Sequence, residues 1–287
     1  MHAVFRRRRF LRAALSAAAA CALVAACGKQ ESAAPAATGA SAAPPPARVL
    51  VVGTDAAYAP FESQNEKGEI VGFDIDIVKA VAQKAGLEVK FVNTPWEGIF
   101  NALKQGDRDL LVSSITITDE RKQTMDFSAP YFDAHQLIAV RTDSKVARFD
   151  DLKTLKVGVQ TGTTGDEAIS RLQGKTSPNI KRFESTPLAL SELATGGIDA
   201  VVADNGVVVN YVRNNAGSRF RTVNDPAFTP EQYGIAVRKG NAALREKLDK
   251  GLAAIRADGT YDRIYAQYLG APPSAGGASA PAAAASK

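Results

Sequence analysis

Three stretches of this 287-residue chain hold groups suited to gripping a small charged molecule. Val157-Gly158-Val159-Gln160-Thr161-Gly162-Thr163-Thr164-Gly165 runs from a β-branched strand through a glycine-rich turn into a helix, whose first turn is expected to be capped by Thr164 with Glu167. Such turns leave backbone N–H groups free to meet an anion. The stretch lacks the Gly-Lys-Ser/Thr ending of a phosphate-binding P-loop, so a nucleotide fits it poorly. Arg121 closes Thr118-Asp119-Glu120-Arg121; a guanidinium offers two parallel donors to a carboxylate and stays charged at any physiological pH. Taken alone, Arg121 reads better as a surface arginine on a helix. The third stretch, Ser113-Ser114-Ile115-Thr116, follows a short apolar run. Thiols and imidazoles are scarce. Beyond residue 27 there is no cysteine, and His135 is the one histidine, which excludes a Cys/His metal site; no cofactor is expected.

The elements that must position these groups alternate in type. Strand candidates Val49–Val52, Glu88–Val92 and Leu110–Val112 are separated by amphipathic helical patterns over about residues 74–85 and from Trp96 onward, which argues an α/β architecture. Thr94-Pro95-Trp96-Glu97 reads as a capping box with proline at the first helical position, and Thr186-Pro187 as a cap followed by such a proline. A weak repeat at a constant offset of 90 matches Leu103, Gly106, Asp109, Val112 and Ser114 with Leu193, Gly196, Asp199, Val202 and Asp204. Both copies read helix, glycine turn, buried strand, as two similar lobes would. Ligands of open α/β sheets bind beyond the carboxyl ends of strands, so Ser114 and Asp204 are candidates to face each other across a cleft.

The ends of the chain are of another kind. Arg6 to Arg9 and Arg12 precede an alanine-rich apolar run from Ala13 to Ala26, the pattern of a secretory signal over residues 1–26. That run is too short and too weakly apolar for a permanent membrane span. Leu23-Val24-Ala25-Ala26-Cys27 resembles a bacterial lipobox, so Cys27 is expected to carry a lipid anchor; Cys21 is the weaker alternative, and Arg7-Arg8-Arg9-Phe10-Leu11-Arg12 also resembles a twin-arginine signal. Residues 27–47 and 271–287 are rich in Ala, Pro, Ser and Thr and cannot bury enough apolar surface to offset ordering; they read as a tether and a tail. Removing the five signal arginines from the chain's 35 basic residues leaves 30 against 30 acidic ones. The formal charge of +5 therefore comes from a discarded segment and gives no reason to expect a nucleic-acid partner.

From Val49 to Leu269 the chain resembles the periplasmic polar amino-acid binding proteins (solute-binding protein family 3), which include lysine/arginine/ornithine- and glutamine-binding proteins of ABC importers. The resemblance rests on Val51 to Glu62, on Gly72-Phe73-Asp74-Ile75-Asp76, and above all on Ser113-Ser114-Ile115-Thr116-Ile117-Thr118-Asp119-Glu120-Arg121 with Asp126-Phe127-Ser128 and Tyr131. It implies a two-lobed, type II periplasmic-binding-protein fold with a hinge of two crossover strands. It further implies that Arg121 forks onto a ligand α-carboxylate, helped by Ser113, Ser114 and Thr116 from one lobe and by Gln160, Thr163 and Thr164 from the other. Asp204 would pair with the α-ammonium group, while Tyr58 and Trp96 sandwich the ligand side chain beside Asp55. The lobes would be residues 48–136 with 237–270 and residues 137–236, joined by hinge strands Gln136–Arg141 and Gly234–Arg238.

Charge then bears on specificity. Asp55, Arg121 and Asp204 sum to minus one, and glutamine-binding relatives carry a lysine where this chain has Gln160, so a basic amino acid (Lys, Arg, ornithine or His) is expected. The resemblance implies a binding protein rather than an enzyme, acting as a monomer that serves a membrane permease from the periplasm. The alternatives are a glutamine-binding protein and an enzyme resembling the periplasmic cyclohexadienyl dehydratases, which share the scaffold.

Overall fold

A computed structural model describes residues 48–215 and 219–271. The signal, Cys27, the tether and the tail beyond Ala271 lie outside the described residues. The chain enters along β1 (Leu50–Thr54), makes a small meander of β2 (Ala57–Tyr58), β3 (Glu62–Gln64) and β4 (Ile70–Val71), and turns into α1 (Phe73–Lys84). Phe73, Ile77, Val78 and Val81 recur at helical spacing and are buried, which seats α1 against the sheet. β5 (Val89–Asn93), α2 (Trp96–Gln105), β6 (Leu110–Leu111), α3 (Asp119–Thr124) and β7 (Met125–Phe127) follow. After β8 (Phe132–Ala134) the chain builds a second body from β9 (Gln136–Arg141), a 3-10 turn over Phe149–Thr154, β10 (Val157–Gln160), α4 (Thr164–Gln173), β11 (Ile180–Phe183), α5 (Thr186–Thr195), β12 (Ala200–Asp204), α6 (Asn205–Asn214) and β13 (Phe220–Val223). It returns through β14 (Glu231–Tyr233) and β15 (Ala236–Arg238), and closes with α7 (Ala242–Ala257) and α8 (Thr260–Leu269) packed on α1.

The two five-stranded sheets have the same plan, β5-β1-β6-β15-β7 in one lobe and β11-β10-β12-β9-β13 in the other. In each, the first three strands are parallel, as βαβ crossovers require, and the fourth runs antiparallel. Apolar clusters cover both faces of each sheet. The repeat seen in the sequence is a repeat of construction. Gly106 (φ 91°) and Gly196 (φ 83°) end α2 and α5 in the left-handed conformation that glycine adopts without strain. Three residues on, Asp109 exchanges two bonds with Val51: its N–H donates to the Val51 carbonyl at 2.8 Å and its carboxylate accepts the Val51 N–H at 2.9 Å. Asp199 does the same with Lys156, both at 2.8 Å. Arg238 and Arg141 then donate to the carbonyls of Arg108 and Ile198 at 3.1 and 3.0 Å.

The hinge differs from expectation. Gln136–Arg141 and Gly234–Arg238 do not form the crossover ribbon; β9 is the fourth strand of the second sheet and β15 the fourth of the first. The paired crossovers lie just before them, where β8 meets β14 in the register Phe132↔Tyr233, Asp133↔Gln232 and Ala134↔Glu231. Burial explains the displacement. Leu137 to Val140 and Ala236-Val237 are buried apolar runs that belong in a core, whereas Asp133 and Gln232 are exposed and bond to each other at 3.0 Å.

Candidate functional site

On the first lobe the site is built from the ends of strands and the starts of helices. β1 delivers Asp55, β2 delivers Tyr58, and Trp96 opens α2. Thr94 is not that helix's cap: its hydroxyl donates back to the Val92 carbonyl at 3.0 Å, and Pro95 stands at the cap position. Ser113, Ser114 and Thr116 follow β6, with Ser114 at φ 49°, a left-handed conformation uncommon for serine. Thr118 is a cap the sequence reading passed over. Its hydroxyl accepts the Arg121 N–H, starting α3 at the point that aims Arg121 into the cleft. The guanidinium donates to the Thr116 carbonyl at 2.9 Å and, across the cleft, to the Gly162 carbonyl at 3.4 Å. It lies 5.4 Å from the Trp96 ring centre and 5.3 Å from that of Phe100. Trp96 therefore serves a cation of the protein itself as well as facing the cavity.

The second lobe meets this wall with the glycine-rich turn. The cap of α4 is Thr163 rather than Thr164: the Thr163 hydroxyl accepts the Asp166 N–H at 3.3 Å and donates to the Gln160 carbonyl at 2.8 Å. Thr164 is thereby free to turn elsewhere. Thr186 is likewise no cap; it donates to Gln160 Oε1 at 3.1 Å, and Ser185 takes the cap position of α5. Held on one side by Thr186 and the Glu184 carbonyl, Gln160 reaches across the cleft and donates to Asp55 at 3.2 Å. Burial raises the Asp55 pKa above its ordinary value, and the Gln160 bond works against that rise.

Asp204, the last residue of β12, accepts from the Tyr233 hydroxyl at 2.6 Å, from Gln136, and from Tyr58. Burial first and the neighbouring Glu231 second push its pKa up to about 6. Glu231 is the residue that sequence reasoning missed. From β14 it accepts from the hydroxyls of Thr116 at 2.6 Å and Thr164 at 2.9 Å and from Gln136 at 3.0 Å, so it joins both lobes at the crossover. The available signal was a carboxylate in Thr-Pro-Glu-Gln-Tyr-Gly, three residues before the glycine that separates β14 from β15. Its presence changes the formal charge of the cleft from minus one to minus two.

Asp55, Tyr58, Trp96, Ser113, Ser114, Thr116, Arg121, Gln160, Thr163, Thr164 and Asp204 all line one cavity of about 20 Å³ between the lobes. That is room for about one water molecule, so this is a closed arrangement in which a ligand would replace the bonds that now cross the cleft. A larger cleft of about 550 Å³ adjoins it beyond Thr116, Thr164 and Glu231; Lys122, Glu167 and Arg171 line it beside Phe149, Phe228 and Pro230, but Arg121, Asp55 and Asp204 do not.

Comparison with known proteins finds relatives over most of the chain. Residues 50–271 match the family described as bacterial extracellular solute-binding proteins, family 3. A probable histidine-binding protein of Neisseria gonorrhoeae is 47% identical over 223 residues, spanning 77% of this chain and 83% of that one. ABC transporter arginine-binding protein 1 of Escherichia coli (strain K12) is 36% identical over 221 residues, 76% of this chain and 89% of its own. Among solved structures, the arginine-, lysine-, histidine-binding protein ArtJ from Geobacillus stearothermophilus superposes with a TM-score of 0.77 at 45% identity, covering 79% of this chain and 97% of that one. This chain belongs to the bacterial extracellular solute-binding proteins of family 3.

Proposed function

We propose that this protein captures a basic L-amino acid (arginine, lysine, histidine or ornithine) between its lobes and delivers it to the membrane permease of an ABC importer. The observation that carries this reading is the pairing of one guanidinium, Arg121, with carboxylates at Asp55, Asp204 and Glu231 around a single cleft. Arg121 would fork onto the α-carboxylate with Thr163 and Thr164 completing its contacts, and Asp204 would take the α-ammonium. Asp55 stands opposite a neutral Gln160 rather than a lysine, leaving an acceptor for a cationic side chain flanked by Tyr58 and Trp96. A buried net negative charge, formally minus two with Glu231 counted, costs several kcal/mol unless the ligand offsets it, which favours a cationic ligand over a neutral or acidic one. The relatives named for histidine, arginine and lysine support the same class.

A ligand touching both lobes stabilises the closed state by its greater affinity for that state, and the β8/β14 ribbon is where the lobes would swing. Calorimetry against the common amino acids tests the reading: a basic amino acid should bind most tightly, and tighter binding of glutamate than of arginine would sink it. Asp55→Asn should weaken arginine binding about tenfold, or roughly 1.4 kcal/mol, with a smaller effect on glutamine. Prephenate and arogenate should pass through unchanged, and turnover of either would favour an enzyme instead. The chain is further proposed to act as a monomer in the periplasm, tethered by a lipid on Cys27. Labelled fatty acid should enter the wild-type protein in cells and not a Cys27→Ala variant.

A further inference from the structure

Behind the turn that carries Ser113 and Ser114, two carboxyl groups face each other. Glu62, opening β3, and Asp74, in the first turn of α1, are both fully buried at 0% exposure. Neither forms an ion pair among the described residues. One oxygen of each is occupied: the Ser113 hydroxyl donates to Glu62 Oε1 at 3.2 Å, while the Ser114 N–H at 2.7 Å and the Tyr131 hydroxyl at 2.6 Å both donate to Asp74 Oδ2. The other oxygen of each, Glu62 Oε2 and Asp74 Oδ1, is buried with no regular hydrogen bond, although the two carboxyls lie within hydrogen-bonding reach of one another and the Ser114 hydroxyl, itself buried without a partner, faces Asp74. Two ionised carboxylates so placed would repel in a medium that screens poorly. One proton between the two orphaned oxygens satisfies both.

We propose that Glu62 and Asp74 share a single proton at neutral pH, with Glu62 the acid and Asp74 the carboxylate, and that this pair positions the Ser113–Ser114 turn against the ligand. The division of roles follows from the donors. Asp74 receives two hydrogen bonds on one oxygen, as a carboxylate does, whereas Glu62 receives one hydroxyl, which the carbonyl of an acid accepts equally well. Burial raises both groups. The groups facing the pair are Ser113, Ser114, Tyr131, Tyr58 and the anionic Asp55, none of them a cation.

The pair is wired to the cavity. The Asp55 N–H donates to the Ser113 oxygen at 3.0 Å, Ser113 donates to Glu62, Glu62 donates to Asp74, and Asp74 holds the N–H of Ser114 in its left-handed conformation. Loss of the shared proton breaks this chain one layer behind the ligand. Glu62 is thus a positioning residue, in a reading that rests on amino-acid binding in this cleft.

The test compares wild type with Glu62→Gln and Glu62→Leu in the whole protein. Glutamine keeps a donor toward Asp74 and an acceptor toward Ser113 but has no proton to lose; leucine keeps neither. Infrared spectra, which need no ligand, should show a protonated-carboxyl band at pH 7 in wild type that is absent from Glu62→Gln. Arginine affinity should fall about 10- to 100-fold in Glu62→Leu, with glutamine recovering most of it. The alkaline loss of affinity should be steeper in wild type than in Glu62→Gln, the part common to both belonging to the ligand ammonium. No protonated-carboxyl band at pH 7 would overturn the shared proton, whatever the ligand proves to be. Affinity in Glu62→Gln as poor as in Glu62→Leu, or undiminished in Glu62→Leu, would overturn the positioning role. If the leucine variant fails to fold, the band and the alkaline profiles of the other two still decide.

Discussion

Beyond the end of β6 in one lobe stands Ser114, and at the end of β12 in the other, 90 residues later, stands Asp204. Up to that point the lobes are built alike. A leucine of the helix is buried, a left-handed glycine ends the helix, an aspartate staples the next strand to its neighbour, and an arginine from the antiparallel strand donates to a carbonyl of the turn. Those parts recur because every βαβ crossover must stop a helix and start a strand within a few residues. The residues at the strand ends differ because an amino acid is itself asymmetric. One lobe offers Arg121 and the hydroxyls around Ser114, the other a carboxylate. Scaffold and site thus obey separate rules within one repeat.

The sharpest way to break this comparison is to remove the chemistry from one strand end at a time. Asp204→Ala should cost roughly 3–5 kcal/mol of arginine binding, because an ammonium group in the closed cleft would lose its counter-charge, whereas Ser114→Ala should cost less than about 1.5 kcal/mol. Calorimetry that found equal losses would show the two ends to be equivalent. The aspartate staples sharpen the scaffold half of the comparison. Asp109→Ala should destabilise by about 1–3 kcal/mol in chemical unfolding, since it leaves the Val51 N–H without its acceptor and frees Arg48 and Arg238. Asp199→Ala should cost less, as Asp199 is only half-buried and holds the Lys156 N–H alone.

A pH profile separates the lobes without any mutation. The Asp204 pKa is raised to about 6 in the unliganded protein, and an α-ammonium partner would lower it. Affinity should therefore be full above pH 7 and fall as pH drops through 6, roughly tenfold per unit until the bound-state value is reached. Asp204→Asn should flatten that profile. For stability the sign is reversed: a carboxyl raised from 3.8 favours the unliganded fold most below pH 4, and that contribution is lost as pH rises through about 6. The glycines sharpen the scaffold comparison further. Gly106→Ala and Gly196→Ala should each cost about 1–2 kcal/mol, because a side chain there meets only ordinary contacts with Arg238 and Arg141 and the penalty is conformational. Unequal shifts in Tm would show the two crossovers to be less alike than their hydrogen bonds.

The sequence by itself determined the pattern-borne features: the α/β alternation, the offset repeat, the Arg121 segment and the glycine-rich turn, each built from local patterns of about a dozen residues or fewer. Helix caps were misplaced at Thr94, Thr164 and Thr186: the Thr94 hydroxyl turns back to the Val92 carbonyl, and distant Glu231 and Gln160 take those of Thr164 and Thr186. The hinge was misplaced because an apolar run signals a strand but does not say which sheet will take it. Only tertiary structure brought Glu231 to Thr116 across 115 residues, and Glu62 beside Asp74 beneath the ligand wall. Periodicity is local, whereas the ionisation and partnership of a buried carboxyl depend on the groups that folding places around it.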